Sequence, residues 1–433
     1  MNTKKQFFKY SGLSMLSTLG MSCYILADTL FIANGVGPLG LTSLNLVLPV
    51  YNLIFGIGAM LGVGGGTRFS ILMSQDKKEE ANSYFIQAIM FGLLVSIPFL
   101  VIGLLYPKWV VSLMGGNHEV MEIASLYLRT FIIFTPFFIM NYIVSSFVRN
   151  DHNPTLASIA MLAGTLFNII FDYIFIFPCH LGMFGAALAT GCSPLISMFI
   201  CSLHFKRKDN HLIFHKQCLH IQKLYLIIKI GMSSLITELS AGIVTFVFNM
   251  LVLSIGGNIA VASYGIICNL AIVVLALYGG IAQGIQPLMS QCFGSHDYKS
   301  ICLYLRYAVI LSLVISISIY GVVFLVPEFI ISLFNGNQTM YDIAKPGLIL
   351  YFFGFFFAGI NTVFVSYFSS TQQVKQSFVI SLLRGGIIII PLVFILSYLF
   401  SLNGVWLSYP ISEAIIMIVI LFFHHQSQRI VSL

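Results

Sequence analysis

Charge is what this chain has least of. Of its 433 residues, only 8% are Asp, Glu, Lys or Arg, against about 25% in soluble domains. That shortage excludes a soluble globular protein, and apolar residues, 58% of the chain, stand in its place. Long polar stretches are missing too, so no sizeable soluble domain fits between the apolar runs. Short alternating segments of the membrane-strand kind are absent, which makes the crossings helical. No Cys-x-x-Cys pair occurs. The eight cysteines (Cys23, Cys179, Cys192, Cys201, Cys218, Cys268, Cys292 and Cys302) are scattered, mostly in apolar runs, which argues against metal or disulfide roles. His118 and Glu119 lack the second histidine of a zinc protease. Residues 62–66 (GVGGG) lack the lysine and the preceding strand of a phosphate loop, and suit close approach to a neighbouring helix instead. With no nucleophile, base or metal constellation, no enzyme activity and no cofactor are expected.

What is present is a series of apolar runs. Hydropathy predicts about twelve spans, at roughly 10–34, 43–72, 83–106, 121–148, 155–177, 183–205, 224–253, 259–290, 301–326, 341–369, 377–400 and 403–424. The first run is too long for a signal-peptide core and reads as a retained helix. Pro49, Pro98, Pro136, Pro194, Pro287, Pro391 and Pro410 lie inside spans and predict kinks. A net charge of +7 raises the question of a nucleic-acid partner. The basic residues fall in short loops, however, where they orient a membrane protein, so no nucleic acid is expected.

One set of loops carries Lys4, Lys5, Lys9, Arg68, Lys77, Lys78, Arg149, Lys206, Arg207, Lys208, Lys216, Lys223, Lys229, Lys299, Arg306, Lys375 and Arg429. The other has Lys108 and Lys345, with Arg129 a turn or two into a helix. This bias places both termini and the long loop 206–223 in the cytoplasm of a cell whose plasma (inner) membrane holds the protein. That loop divides the chain near its midpoint. The halves look like repeats: residues 107–124 (PKWVVSLMGGNHEVMEIA) echo 327–344 (PEFIISLFNGNQTMYDIA) at an offset of 220. The expected fold is therefore all-α, with twelve transmembrane helices in two six-helix lobes related as parallel repeats. The expected units are 1–205, the linker 206–223, and 224–433. A cleft between the lobes suits rocking between inward-open and outward-open states. Asn337, in an Asn-Gln-Thr triplet, matches a glycosylation acceptor that would matter only in a eukaryote.

Acidic residues inside spans are the sharpest signal. Asp172 sits four residues after Asn168 in LFNIIFDYIFIF (166–177). An ionised carboxylate there is unfavourable by roughly 2.5–3.5 kcal/mol, so a cation or a proton is the natural guest. A spacing of four puts the amide and the carboxylate on one helix face. Asp28 lies late in the first span. Setting Gly35 against Gly256 makes Asn249 its counterpart, and Asn168 and Asp172 fall against apolar residues near 388–392. Only the first half carries the Asp pair, which points to a coupling-ion site there. In the second half Glu238, Arg384 and Glu413 lie inside spans. Arg384 is expected to pair with Glu238 or Glu413, reducing the desolvation penalty. Glu238 is alternatively a contact for a cationic substrate. Tyr51, Tyr142, Tyr173, Phe246 and Tyr264 are candidate platforms for flat organic cations.

The run RNDHNP (149–154), then FNIIFDYIFIF, then GMFGAALAT (182–190) resembles a block of the multidrug and toxic compound extrusion (MATE) transporters, in the multidrug exporter branch of bacteria. His152 stands where that family usually has glycine. Residues 27–53 and the glycine-rich end of the second span are also similar to it. The resemblance implies export of cationic amphipathic compounds against Na⁺ or H⁺. Carried over by position, it implies that Asp28, Asn168, Asp172 and Thr190 bind the coupling cation, with Ala186 offering a carbonyl. Glu238 resembles a second-lobe acidic residue. Several members bend the first span at a proline, which this chain lacks.

The expected function is a secondary antiporter exporting organic cations (drugs, dyes, toxic metabolites) in exchange for Na⁺ or H⁺, acting as a monomer in the bilayer. No metal beyond Na⁺ at Asp28 and Asp172 is expected. If dry, that pair would hold one proton, since two like charges in contact cannot both stay ionised. The rival within the superfamily is a flippase for lipid-linked oligosaccharides or polysaccharides. The scarcity of buried basic residues (Arg384, with Arg129) disfavours its anionic lipid. A membrane-embedded enzyme is the rival from another class.

Overall fold

The computed structural model describes residues 3–332 and 338–431. Asn337, the middle of the second repeat segment and the side chain of Arg429 lie outside the described residues. Within them every regular element is helical, because a chain in hydrocarbon must satisfy its backbone N–H and C=O groups internally.

The first half runs α1 (Thr3–Gly35), α2 (Pro38–Ser74), α3 (Lys78–Leu105), α4 (Pro107–Leu113), α5 (His118–Ile132), α6 (Thr135–Asn150), α7 (Pro154–Ile176) and α8 (Gly182–Ser202). The second runs α9 (Ile221–Gly294), α10 (Tyr298–Leu325), α11 (Pro327–Ser332), α12 (Gln338–Phe353), α13 (Phe355–Ser370), α14 (Val374–Leu382) and α15 (Ile389–Val431). Local chemistry sets several boundaries. Asn117 and Asn153 cap α5 and α7 by accepting from the backbone N–H three residues on, both at 3.3 Å. Asp297 caps α10 in the same way at 3.1 Å. Pro154 follows its cap at a position where a missing N–H costs nothing.

Nine helices among the described residues are long and apolar enough to cross a bilayer, and the bent pair α5–α6 makes a tenth crossing. Two of these are too long to cross once. The 74 residues of α9 would reach roughly 110 Å at 1.5 Å per residue, against a hydrocarbon core of about 30 Å. The helix breaks at Gly257 (φ 65°, ψ −162°). The 53-residue stretch Val374–Gln426 breaks likewise at Ser401 (φ 54°, ψ −134°). Each break separates two crossings, which gives the twelve expected from sequence. They form two six-helix lobes related as parallel repeats.

Backbone geometry repeats with the sequence. Left-handed residues pair across the halves: Gly37 with Gly257, Asp76 with His296, and His152 with Gln372, each 220 positions apart. His180 and Ser401 pair likewise, 221 apart, while Gly115 and Gly182 also have positive φ. A glycine is the easy residue at φ 58°, so His152 adopts a strained conformation that its repeat partner Gln372 (φ 57°) shares. The kinks expected at prolines are clearest in two places. The α5–α6 axes differ by 47°, with the break just before Pro136. A wide π turn over Leu383–Ile387 precedes Pro391, whose missing N–H leaves a carbonyl free there.

Each half has its own apolar core. The start of α1 crosses over: Phe7 and Tyr10 pack in the second-half core, and Tyr304 donates to Gln6 at 2.8 Å. The lobes meet closely at the end bearing the basic loops. A Cβ on Gly64 would overlap the Ile227 carbonyl, and one on Gly231 would overlap that of Met60. The expected close approach of the 62–66 run is therefore an inter-lobe contact, and also one with Tyr142 and Phe147 of α6. A polar latch lies beside it. Gln286 donates to Thr67 (3.0 Å) and Asn150 (3.2 Å), Asn150 donates back to Gln286 (3.1 Å), and Ser70 donates to Asn150 (2.6 Å).

The linker is strapped to the first lobe. Asn82 donates to the Ile213 carbonyl (2.6 Å) and accepts from its N–H (2.9 Å). Gln87 treats Cys218 and His220 in the same way at 2.8 and 2.9 Å. Asp151, in the turn before α7, pairs with His204 and His211, both at 2.8 Å. Burial opposes its charge, yet the hydrogen bonds from His204 and His211 win and hold the carboxyl below its usual range.

Candidate functional site

Asp28 on α1, Asn168 and Asp172 on α7, and Thr190 on α8 converge inside the first lobe. Asp28 is 7% exposed, and Asn168 and Asp172 are fully buried. The carboxyls of Asp28 and Asp172 lie within hydrogen-bonding reach of each other. Two ionised carboxylates cannot rest in that contact, so it requires a proton or a cation between them. The Asn168 side chain reaches both neighbours. In the orientation that satisfies them, its nitrogen donates to Asp172 Oδ2 (3.0 Å), while its oxygen accepts from Thr190 Oγ1 (3.2 Å) and the Thr190 N–H (3.3 Å). Tyr127 of α5 also reaches Thr190. Asp28 Oδ1 and Asp172 Oδ1 are buried without a hydrogen-bond partner. Among the described residues no basic side chain pairs with either acid. The donor set consists of carboxylates, an amide and a hydroxyl, which suits a hard monovalent cation or a proton.

The described residues also enclose two cavities, neither of them lined by these four side chains. The larger, about 160 Å³, lies between the lobes and is lined by Tyr142, Arg149, Thr237, Glu238, Gln283 and Arg384 among others. The smaller, about 60 Å³, lies within the first lobe among Tyr24, Tyr51, Asn141 and Tyr142. Tyr24 and Tyr51 bond through their hydroxyls at 2.6 Å. Tyr142 lines both spaces.

The second-lobe charges resolve into a pair and a lone acid. Arg384 donates to Glu413 at 2.7 Å and to Thr362 at 2.7 Å, while Asn361 donates to the other Glu413 oxygen at 2.7 Å. Of the two partners expected for Arg384, Glu413 is the one it takes. Glu238 has no ion pair among the described residues and faces the cavity.

Two basic residues differ from the sequence expectation. Arg129 is exposed, because α5 is amphipathic and turns that position outward. Arg149, counted there among the loop charges, is only 6% exposed and lines the inter-lobe cavity. The last turn of α6 carries it inward to Gln283, which accepts from it at 3.0 Å. The aromatic candidates divide as well. Tyr51 and Tyr142 face cavities. Tyr173 and Phe246 are 52% and 64% exposed, facing outward. Tyr264 is stacked between Phe248 and Trp406.

Two repeated six-helix lobes with a polar cavity between them are the architecture of a membrane transporter. A family model described as MatE matches residues 14–174 and 233–399. The chain belongs to that family, the MATE transporters, and is a transporter rather than an enzyme. Among named relatives it is similar to the multidrug export protein MepA of Staphylococcus aureus strain MRSA252, 28% identical over 95% of this chain and 91% of that one. The protein of the same name from Staphylococcus saprophyticus is 27% identical over 87% and 83%. Among solved structures, an outward-facing multidrug resistance MATE family transporter superposes with a TM-score of 0.92 at 21% identity, covering 99% of this chain and 96% of that one. A MOP superfamily transporter from Pyrococcus furiosus, described as having a binding pocket of reverse polarity, gives 0.91 at 21% identity with the same coverage. These structural likenesses establish the fold.

Proposed function

We propose that this protein is a multidrug antiporter that exports cationic amphipathic small molecules in exchange for Na⁺ or H⁺. The observation that carries the reading is the contact between two buried carboxyls, Asp28 and Asp172, with no basic partner among the described residues. Asn168 and Thr190 complete the coupling-ion site, and Glu238 offers the organic cation its counter-charge in the inter-lobe cavity. The multidrug export names of the relatives support the same substrate class.

In this scheme the outward-facing protein takes the inorganic cation at Asp28 and Asp172, which favours release of the organic one and return inward. The units that rock are residues 1–205 and 224–433, joined by the strap 206–223, in a monomer. The basic loops and both termini face the cytoplasm of the cell whose plasma membrane holds the protein. The test is dye efflux from vesicles with Na⁺ and H⁺ gradients imposed separately. Wild-type protein moves a permanent organic cation under at least one gradient. Full activity of a normally expressed Asp172→Asn variant would defeat the scheme.

A further inference from the structure

We propose that Arg68 and Lys223 form a binding site for the phosphate headgroup of an anionic phospholipid, set between α2, α3 and the first turn of α9. A lipid held there is independent of the coupling ion and of the exported substrate.

Arg68 lies near the end of α2, Tyr84 near the start of α3 and Lys223 in the first turn of α9. The Arg68 guanidinium carbon stands 5.3 Å from the centre of the Tyr84 ring, and Lys223 Nζ stands 5.8 Å from it. One buried ring therefore carries two cations. Lys223 also donates to Ser83 Oγ at 2.6 Å. Arg68 Nε is buried without a hydrogen-bond partner. Among the described residues neither cation forms an ion pair with an acid. Asp76 pairs with Lys78, and Glu79 and Glu80, in the first turn of α3, are exposed. A ring face is a weak substitute for a counter-ion, and two cations brought to one ring repel each other. An anion shared between them relieves both. Phosphate is matched to the pair, because its oxygens accept parallel bonds from the arginine fork and the point charge of the lysine.

What surrounds the pair selects a lipid. Arg68 and Tyr84 each lie less than two turns from the helix ends at the basic-loop side, near the border of headgroups and acyl chains. Large apolar residues stand exposed beside them. Ile221, two residues before Lys223, is 84% exposed, and Ile213, Phe214 and Tyr225 are also exposed. Phe214 packs on Phe85, the neighbour of Tyr84 along α3, with ring centres 5.2 Å apart. Contact of such side chains with water is unfavourable, and acyl chains remove it. Basic pockets between helices at this depth suit anionic headgroups. A free phosphate ion would answer the two charges and leave the apolar rim bare.

The test is native mass spectrometry of purified full-length protein titrated with phosphatidylglycerol and phosphatidylcholine of matched chains. Wild-type protein holds phosphatidylglycerol about tenfold more tightly or better, the scale of one charge-assisted contact. The double variant Arg68→Gln, Lys223→Gln loses that preference and keeps its affinity for phosphatidylcholine. Removing the same charge from the exposed loop, as Lys206→Gln with Lys208→Gln, leaves the preference standing. Equal loss from both double variants makes the attraction diffuse and overturns the proposal. So does a preference that survives Arg68→Gln, Lys223→Gln, or a wild-type protein that shows none. Displacement of phosphatidylglycerol by equimolar inorganic phosphate assigns the pair to a free anion and overturns the lipid. Should the double variant not fold, Lys223→Gln alone decides, since it gives up one hydrogen bond, to Ser83. The preference then falls severalfold if the proposal holds, and an unchanged preference overturns it.

Discussion

The two lobes share a backbone and differ in what fills it. In the first, Asn141, Tyr142, Gly164, Thr165 and Ser193 line an open cavity. Carried forward by 220 positions, Asn141 becomes Asn361, Tyr142 becomes Thr362 and Gly164 becomes Arg384. Ser193 becomes Glu413. In the second lobe those positions instead bond to one another: Arg384 donates to Glu413 and Thr362, and Asn361 donates to Glu413. The first lobe keeps the space open and carries the unmatched acids. One scaffold occurs twice, and on the proposed reading substitution at a few inward positions makes one copy a structural support and the other the coupling site.

The largest break in that contrast comes from the acids themselves. Asp28→Asn or Asp172→Asn should abolish gradient-driven dye efflux in vesicles at normal expression. Asn249→Ala, one position past the second-lobe counterpart of Asp28, should leave efflux near wild type.

Breaking the closed network should cost stability before it costs coupling. Glu413→Ala strands the buried Arg384 charge and should destabilise by roughly 3–5 kcal/mol, read as a fall in melting temperature in detergent. The double variant Arg384→Met, Glu413→Leu should recover most of that loss.

The seam between the lobes gives a smaller effect. Gly64→Ala pushes a methyl into the Ile227 carbonyl and should cost about 1–3 kcal/mol by overpacking. It should also bias the protein away from closure at the basic-loop end. Labelling of a cysteine introduced at Gln283 should then rise from that side.

Asp151 gives an effect of similar size. Its carboxyl is held below the usual range, despite opposing burial, by His204 and His211. A depressed folded pKa stabilises above the unfolded value of about 3.9 and loses that contribution as pH falls through the folded one. Asp151→Asn should therefore cost about 1–3 kcal/mol near neutrality and flatten the acid limb of the melting curve.

Much of the fold was legible in the sequence because hydrocarbon imposes simple rules. Twelve apolar runs predicted twelve crossings, and the helices begin and end within a few residues of those runs in most cases. Asp172 stood out because a carboxylate amid LFNIIFDYIFIF has little reason to persist unless something binds it. Arg149 was missed for the opposite reason. At the end of an apolar run a basic residue reads as a loop charge, and its burial depends on Gln283, far along the chain in the other lobe. The signal available was two glutamines, Gln283 and Gln286, three apart in an otherwise apolar run. Arg129 failed in reverse: its run is apolar, but only one face of α5 turns inward. The strap over α3 was also beyond reach, since Asn82 and Gln87 hold loop backbone, which carries no side-chain pattern.

The most direct measurement is a titration of purified protein in weakly buffered detergent with a permanent organic cation, following released H⁺ and Na⁺ together. Wild-type protein should release one of these ions as the organic cation binds, and Asp172→Asn should release neither. No release from wild type, or equal release from the variant, would contradict an exchange at Asp28 and Asp172.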